Sequence, residues 1–514
     1  MNITSMTQET LALMKAAHAA GPNDSLSKSV SVGTGLVAFD LQAPAKNLYP
    51  FVTPLRNTIP RVGGGTGSAT NWRQVNAIIG SGFDAMGWVP EGQRSGQMSY
   101  STSNKAATYA TIGEEDAATF EAIAAGRSFE DIQAMMVFRL LQKMMLKEEM
   151  AILCGNTSLA LGIPTTPTTS AVANTAATLT NGTYYVKVAA LTAEGFQNIG
   201  SGNGAVPVVS AATVVPTSKS IIGADGKSYV LNGGCSNLSA EAAGVTVTSG
   251  TNMLAMTVPA IRGAVAYAWF ISSASGTETL QAVTTINSYT QSVPLTTGTQ
   301  SAAAITGDFS TNSSSLCYDG LLTTALNSAN NATVTTMATG TAGTGTPLTA
   351  SGRGSVNEMD SLLLSMWQNF ELSPTVFYVN AQELKNITSK VLSNTAGPLL
   401  RYDNSATGGE YRMTASGFVE FYYNPFALDG GLKIPIKIHP RVPPGTIIGW
   451  ADNLPIQYQS NEVPNVAEIK TRQDYYQIDW PIVTRQRQVG VYAEEVLAIY
   501  APFAMGVVTN IANG

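Results

Sequence analysis

Charge is the first thing this chain lacks. Only 12% of its 514 residues are Asp, Glu, Lys or Arg, about half the usual share for a soluble protein. Histidine occurs twice, as His18 and His439, and neither stands at metal-ligand spacing from another His or Cys. The three cysteines, Cys154, Cys235 and Cys317, are far apart and odd in number, which excludes a disulfide framework. No apolar run approaches the ~18 residues that a membrane span needs, so no membrane partner is expected. The opening MNITSMTQETLALMKAAHAA has no basic stretch ahead of an unbroken apolar core. The product is therefore expected to be soluble, without a secretory leader, and made in the cytoplasm. A net charge of −6 argues against a dedicated nucleic-acid binder, which is normally basic.

Catalytic patterns are missing as well. A serine triad drawn through His439 finds no nucleophile elbow. The run GGGTGS at 63–68 lacks the Gly-Lys-Ser/Thr end of a phosphate loop and reads as a hinge or flexible loop base. Asp319, Glu358 and Asp360 do not follow the pattern of a calcium loop. No enzyme activity, cofactor or metal is expected.

What is present is apolar and neutral. Hydrophobic residues make up 44% of the chain, yet the mean hydropathy is only +0.08; Ser, Thr, Asn, Gln and Gly fill the difference. A surface with few charges is poorly protected against self-association. Two readings follow: a surface meant to be buried in an assembly, or a neutral, extracellular, Ser/Thr-rich β protein. The length allows a large core and two or more domains.

Six stretches differ in texture. Residues 1–60 read as an arm, with a short amphipathic helix at Leu11, Leu13, Met14 and Ala17. Residues 61–115 read as a long hairpin that turns extended at Thr70 and returns through MSYSTSNKAATYATIGEE. With so little interior, such a hairpin must lie on something. Residues 116–160 hold the clearest helix, 128–153, with Ser128 as N-cap and Asp131 three residues on. Ile132, Met136, Leu140 and Met144 form its apolar stripe, widened by Leu141 and Met145. Arg139, Lys143 and Lys147 line another face, which is either solvated or turned towards something acidic. Glu148 and Glu149 follow, at an end where acids do not suit the helix dipole.

Residues 161–310 carry few charges, recurrent turn pairs such as Asn181-Gly182 and Asn232-Gly233, and strand-like runs at 184–191, 213–215, 228–231, 253–258, 264–272 and 279–286. That spacing predicts a β-sandwich inserted between two linkers, 164–170 and 310–315. Residues 311–465 return to mixed texture. Ser355 and Glu358 predict a capping box for a helix that buries Leu362, Leu363, Met366, Trp367 and Phe370. A strand at 375–379, a helix at 381–392 and three further extended runs follow. Residues 466–514 alternate as strands, with Ile478, Trp480 and Ile482 on one face and Val489, Val491 and Val496 behind Arg485, Gln486 and Arg487.

This order resembles the tailed-phage major capsid proteins with the HK97-type fold. The likeness rests on the arm, the glycine-flanked hairpin, the helix ending in KEEMAILCGN (147–156), the segment DSLLLSMWQNFELSPTVFYVNAQELKNITSKVL (360–392), and the tail DYYQIDWPIVTRQRQVGVYAEEVLAIYAPFAMGVVTNI (474–511). GTYYVKVAALTAEGF (182–196) and GAVAYAWFISSASGTE (263–278) are similar to strands of immunoglobulin-like or fibronectin-type modules.

The resemblance implies an α+β fold: N-arm, extended hairpin, peripheral domain with spine helix, and axial domain, here with the sandwich inserted. It implies a structural subunit that assembles as hexamers and pentamers into an icosahedral head around double-stranded DNA. Its partners would be copies of itself, a portal, possibly scaffold or decoration proteins, and packaged DNA by non-specific contact. Localisation would be the virion, with synthesis in the bacterial host. Trp72, Val75, Ile78, Phe83 and Trp88 are the apolar groups expected under neighbouring subunits, or else facing their own core. Arg139, Lys143 and Lys147 would be the inner basic face. The segment 360–392 and the loops near Gly408, Gly409 and Gly430 would sit near local symmetry axes. Some such proteins cross-link a Lys to an Asn, and Lys105 lies in the hairpin. The sandwich would project outwards, and the remainder would still fold without 165–308. No cleavable scaffolding region is seen, which suggests a separate scaffold or none. The competing readings are a secreted or surface β-rich adhesin that binds carbohydrate, and another virion part such as a tail-tube or decoration protein.

Overall fold

The computed structural model describes residues 51–512 except 80–87, 127–130, 200–208, 211, 224–225, 352–353, 394–400, 405–410, 415–417, 428–430, 453 and 455–464. The arm helix, the Ser128 cap, Phe83 and the loops at Gly408, Gly409 and Gly430 lie outside the described residues. So do the side chains of Val75 and Ile78. The chain forms two compact units, 1–50 with 121–132, and 51–120 with 133–514. In the first, the described residues are 121–126, 131 and 132. There Gly126 closes under Ile132, whose Cδ1 would stand 2.6 Å from an added Cβ.

The second unit begins with a four-stranded sheet. Arg61–Val62 runs parallel to Ala467–Asp479, which pairs antiparallel with Gln486–Ile499, and that strand pairs with Ala110–Thr119. Val489, Val491, Ala493 and Val496 bury their side chains. The tail alternation extends less far than its sequence suggests. The strand stops at Asp479, and Trp480 and Ile482 fall in the turn, where Pro481 has no N–H to continue a ladder. The long helix, Ile132–Cys154, buries Met136, Leu140 and Met144 as their spacing of four predicts.

A six-stranded mixed sheet follows the order Thr333–Thr336, Met505–Thr509, Ile447–Trp450, Val376–Val379, Leu432–Ile438, Phe421–Asn424. The helix Asn357–Phe370 buries Leu362, Leu363 and Met366. It comes so close to Gly506 that an added Cβ would meet Leu362 and Met366 at 2.9 Å. The expected capping box is not formed. The helix starts at Asn357 with Val356 as N-cap and no side-chain cap. Ser355 instead donates to the Ser351 carbonyl at 2.7 Å, and the Glu358 carboxylate accepts from Thr349 N at 2.9 Å.

The described residues of 168–291 hold a two-stranded antiparallel ladder, Ser218–Ile222 with Ser228–Asn232, and two larger antiparallel sheets. Ser288–Gln291, Asn252–Thr257 and Thr168–Ala173 form one; Thr279–Thr284, Ala266–Ser272, Gly182–Leu191 and Val245–Val247 form the other. Tyr184, Val186, Val188, Leu254, Met256, Trp269 and Ile271 share one core. The stretch expected to be a linker supplies the strand Thr168–Ala173, and 213–215 forms no strand.

The sandwich does not stand free of the body. Along Ala266–Ser272, Tyr267, Trp269 and Ile271 belong to the sandwich core, while Ala266, Ala268 and Phe270 belong to the main core with Leu321, Leu322 and Val507. The strand Ala266–Ser272 is thus buried on both faces. The ends of the stretch 161–310 are stapled too. Asn156 Nδ2 donates to Ser310 O at 2.7 Å, Leu161 N to Ser310 Oγ at 3.0 Å, and Gly162 N to an Asp308 carboxylate oxygen at 2.8 Å. At the far side Asn510 Nδ2 donates to Asn287 Oδ1 at 3.0 Å, and Asn287 N donates to Asn510 Oδ1 at 2.9 Å, both buried. The ends of the stretch are therefore fastened to the body and not carried on loose linkers.

Candidate assembly surface

The hairpin pairs Ala69–Ile79 with Ser99–Thr108, Trp72 opposite Lys105, with a register shift between Val75 and Ala77. The return segment then leaves the hairpin, and Ala110–Thr119 joins the four-stranded sheet. The glycine run ahead of it is held in place. Gly65 N donates to Thr471 O at 3.1 Å, and a Cβ on Gly65 would collide with the Tyr109 hydroxyl at 2.1 Å. Gly64 has φ +86°, which disfavours any L side chain.

At the hairpin base, Trp72 turns to its own body. Its ring meets Tyr500 edge-on, centroids 5.4 Å apart. Its Nε1 reaches no acceptor among the described residues. Lys105 Nζ donates to Asn330 Oδ1 at 3.4 Å within the same chain. Both line a cavity of about 300 Å³ with Asp319, Cys317, Tyr318 and Leu497. Further out the character changes. Trp88 is 89% exposed, and Val89, Met98 and Tyr100 are exposed too. The turn between the two long tail strands is similar, with Ile482 exposed and Val483 89% exposed. Of the five apolar residues singled out in the sequence, Trp72 lies on the body and Trp88 is open to solvent.

The basic stripe divides. Arg139 and Lys143 are exposed on the long helix. Lys147 is half-buried, donates to Gly113 O at 3.1 Å and pairs with Glu114, fastening the helix to the sheet edge. Burial lowers its pKa.

Glu148 and Glu149, which local helix electrostatics left unexplained, are almost wholly buried. Glu149 meets the N-terminus of the short helix Pro54–Thr58, accepting from Leu55 N at 3.0 Å and Arg56 N at 2.7 Å. These are backbone donors that a helix cannot satisfy internally. Its Oε1 also lies 2.6 Å from His439 Nε2, while His439 Nδ1 accepts from Arg441 N at 3.1 Å. That pair of bonds makes His439 the Nε2–H tautomer.

Glu148 accepts from Arg56 Nε at 2.7 Å, from Arg61 Nη1 and from the Tyr475 hydroxyl. Arg61 Nη2 reaches Asp474 at 2.7 Å and Glu495 at 3.2 Å. Tyr318 donates to Glu495 Oε1 at 3.0 Å. Both guanidiniums also lie 5.3 Å from the Tyr475 ring centroid. Burial works to lower Arg61, but the charges of Glu148 and Glu495 outweigh it and raise its pKa. Burial, then the charge of Glu148, push Glu495 up to about 8. This knot joins the segment 54–62, the long helix and both tail strands.

Among the described residues no group of His, Cys, Asp and Glu could hold a metal ion. No helix among them is long and apolar enough to cross a membrane.

No protein-family model matches the chain, and no curated protein does. Solved structures that match over nearly the full chain include capsids of a GTA particle and of phages. The capsid of the native GTA particle covers 93% of this chain and 97% of its own at 9% identity, with a TM-score of 0.39. The capsid of Myoviridae Phage XM1 gives 92%, 96%, 6% and 0.38 for the same quantities. The Cyanophage A-1(L) capsid asymmetric unit gives 93%, 98%, 10% and 0.39.

Proposed function

We propose that this chain is the major capsid protein of a tailed bacteriophage, with an HK97-like fold and an immunoglobulin-like sandwich between its spine helix and axial domain. It is a structural protein, not an enzyme. Copies assemble as hexamers and pentamers into an icosahedral head that encloses double-stranded DNA. Portal and scaffold or decoration proteins complete the particle. The face of Arg139 and Lys143 turns towards the packaged DNA, and synthesis takes place in the host bacterium.

One observation carries this reading. Trp88, Met98, Tyr100, Ile482 and Val483 cluster near the turns of two hairpins with their side chains in water. Each large apolar side chain left exposed forgoes about 1.5–3 kcal/mol of burial. A set of them in two places marks surfaces that another molecule covers, and a chain with 12% charge offers little to repel a second copy.

Sedimentation and electron microscopy of the purified chain test the proposal. Closed shells, or discrete hexamers and pentamers, are expected. The double variant Trp88→Ser, Val483→Ser should keep the wild-type melting curve yet need at least about tenfold more protein to assemble, since 1.4 kcal/mol is a factor of ten. A chain that stays monomeric at every concentration, or assembles equally well after both substitutions, would refute it. Sugar binding by such a monomer would point to the adhesin instead.

A further inference from the structure

Trp72 and Lys105 stand directly opposite each other across the hairpin, so their side chains lie side by side on one of its faces. Both line the cavity of about 300 Å³ at the hairpin base, a volume at the lower end of the ~300–1,000 Å³ of small-molecule pockets. Each is a donor short of an acceptor. Trp72 Nε1 is buried and bonds to nothing among the described residues; an orphan N–H of this kind is rare in a folded protein. Lys105 is half-buried. Its one bond runs to the neutral Asn330 Oδ1 at a long 3.4 Å, and no carboxylate among the described residues pairs with it. The acid in the same wall, Asp319, is engaged elsewhere. Its Oδ1 accepts from Thr157 N at 2.6 Å, Thr157 Oγ1 at 2.8 Å and Ser158 N at 3.2 Å. Leu497, Ile499 and Pro502 give the cavity an apolar wall.

We propose that this cavity binds a small organic monocarboxylate. One carboxylate oxygen accepts from Lys105 Nζ and the other from Trp72 Nε1, while an apolar body packs on Leu497, Ile499 and Pro502. Charge selects the class. One ammonium matches one carboxylate. A phosphate would bring more negative charge than that ammonium offsets and would face the Asp319 carboxylate as well. A neutral ligand would leave Lys105 without a counter-charge. The bound acid touches the hairpin through Trp72 and Lys105 and the body through the tail strand, so it ties the hairpin base down. The site stands whether or not copies of the chain build a shell.

Calorimetric titration and thermal melts of the full-length chain, with phenylacetate and hexanoate as probes, test this. Either acid should bind saturably and raise the melting temperature. Phenylacetamide, a neutral isostere, and inorganic phosphate should bind at least about tenfold more weakly. Lys105→Met keeps the stem without the charge and should weaken the acids at least about tenfold. Trp72→Phe keeps an aromatic ring without the N–H and should weaken them about twofold to tenfold. Lys433→Met, at an exposed lysine on the six-stranded sheet, should bind as the wild type does. Affinity should be equal in the dissociated and the assembled chain. Failure of both acids to bind, equal binding of acid and amide, or wild-type affinity in either Lys105→Met or Trp72→Phe would overturn the proposal. So would binding that is lost on assembly, which would assign the carboxylate to a side chain of a neighbouring copy. A chain that binds the acids yet never assembles would refute the capsid reading and leave this site standing.

Discussion

Replacing Phe270 with alanine separates a sandwich that is a module from one that is part of the body. Phe270 is fully buried in Ala266–Ser272, an inner strand of the sandwich's four-stranded sheet, opposite Lys187 on one side and Leu280 on the other. Its neighbour Trp269 points into the sandwich core, but Phe270 belongs to the main core. Truncating a core Phe to Ala costs about 3–5 kcal/mol, transfer and cavity together. A domain is stable by only about 5–15 kcal/mol, so the loss is large. Because the cavity opens on the shared face, it weakens the sandwich and the six-stranded sheet at once. Urea unfolding followed by circular dichroism, with strand-resolved hydrogen exchange, is the assay. Phe270→Ala should lower the midpoint of one common transition and deprotect Val376–Val379 and Met505–Thr509 along with Gly182–Leu191. Trp269→Ala, confined to the sandwich interior, serves as the comparison. If Phe270→Ala deprotects only the sandwich strands, the shared-core argument fails. The same argument predicts that a chain without 165–308 is insoluble, because Ala189, Leu191, Ala268 and Phe270 leave with the deletion and their partners face water.

Three further outcomes follow from single contacts. Asn510→Ala removes both bonds to Asn287 and the one to Met337 O and strands buried groups at φ +63°; a loss of about 2–4 kcal/mol is expected in chemical denaturation. Gly506→Ala forces Leu362 and Met366 off the sheet and should cost about 1–3 kcal/mol by the same measurement. Glu383 is fully buried, accepts from Gly445 N at 3.0 Å and Asn386 Nδ2 at 3.3 Å, and is pushed by burial up to about 7 despite those bonds. Its folded-state value lies above its unfolded one, so stability is full below the ordinary carboxylate range and is lost as pH rises towards 7; thermal melts of Glu383→Gln should show a weaker decline between pH 5 and 7 than the wild type.

Much of the scaffold was legible because it obeys local rules. The long helix Ile132–Cys154 announced itself by apolar residues at spacing four, and Met136, Leu140 and Met144 are buried as that spacing requires. The strands Gly182–Leu191, Ala266–Ser272 and Thr279–Thr284 were visible as β-branched and aromatic runs between turn pairs. Alternation even held the clue to the second buried face: Ala266, Ala268 and Phe270 are apolar where a solvated sheet would place polar groups. The failures have a common cause. Ser355 and Glu358 satisfy a four-residue pattern, but Glu358 is drawn to Thr349, a partner no window of four includes. Glu148 and Glu149 look misplaced when judged against their own helix dipole. Their partners stand 87 to 94 residues upstream at Leu55, Arg56 and Arg61, and 290 to 327 downstream at His439 and Tyr475. A charge that is unfavourable locally persists only where a distant partner offsets its desolvation. In a chain this poor in charge, two adjacent acids at the cation-preferring end of a helix were therefore the sequence's own pointer to the knot, and pairing them with Arg56 and Arg61 needed only the parallel register of Arg61 on Ile469 that brings the arm root to the tail strand.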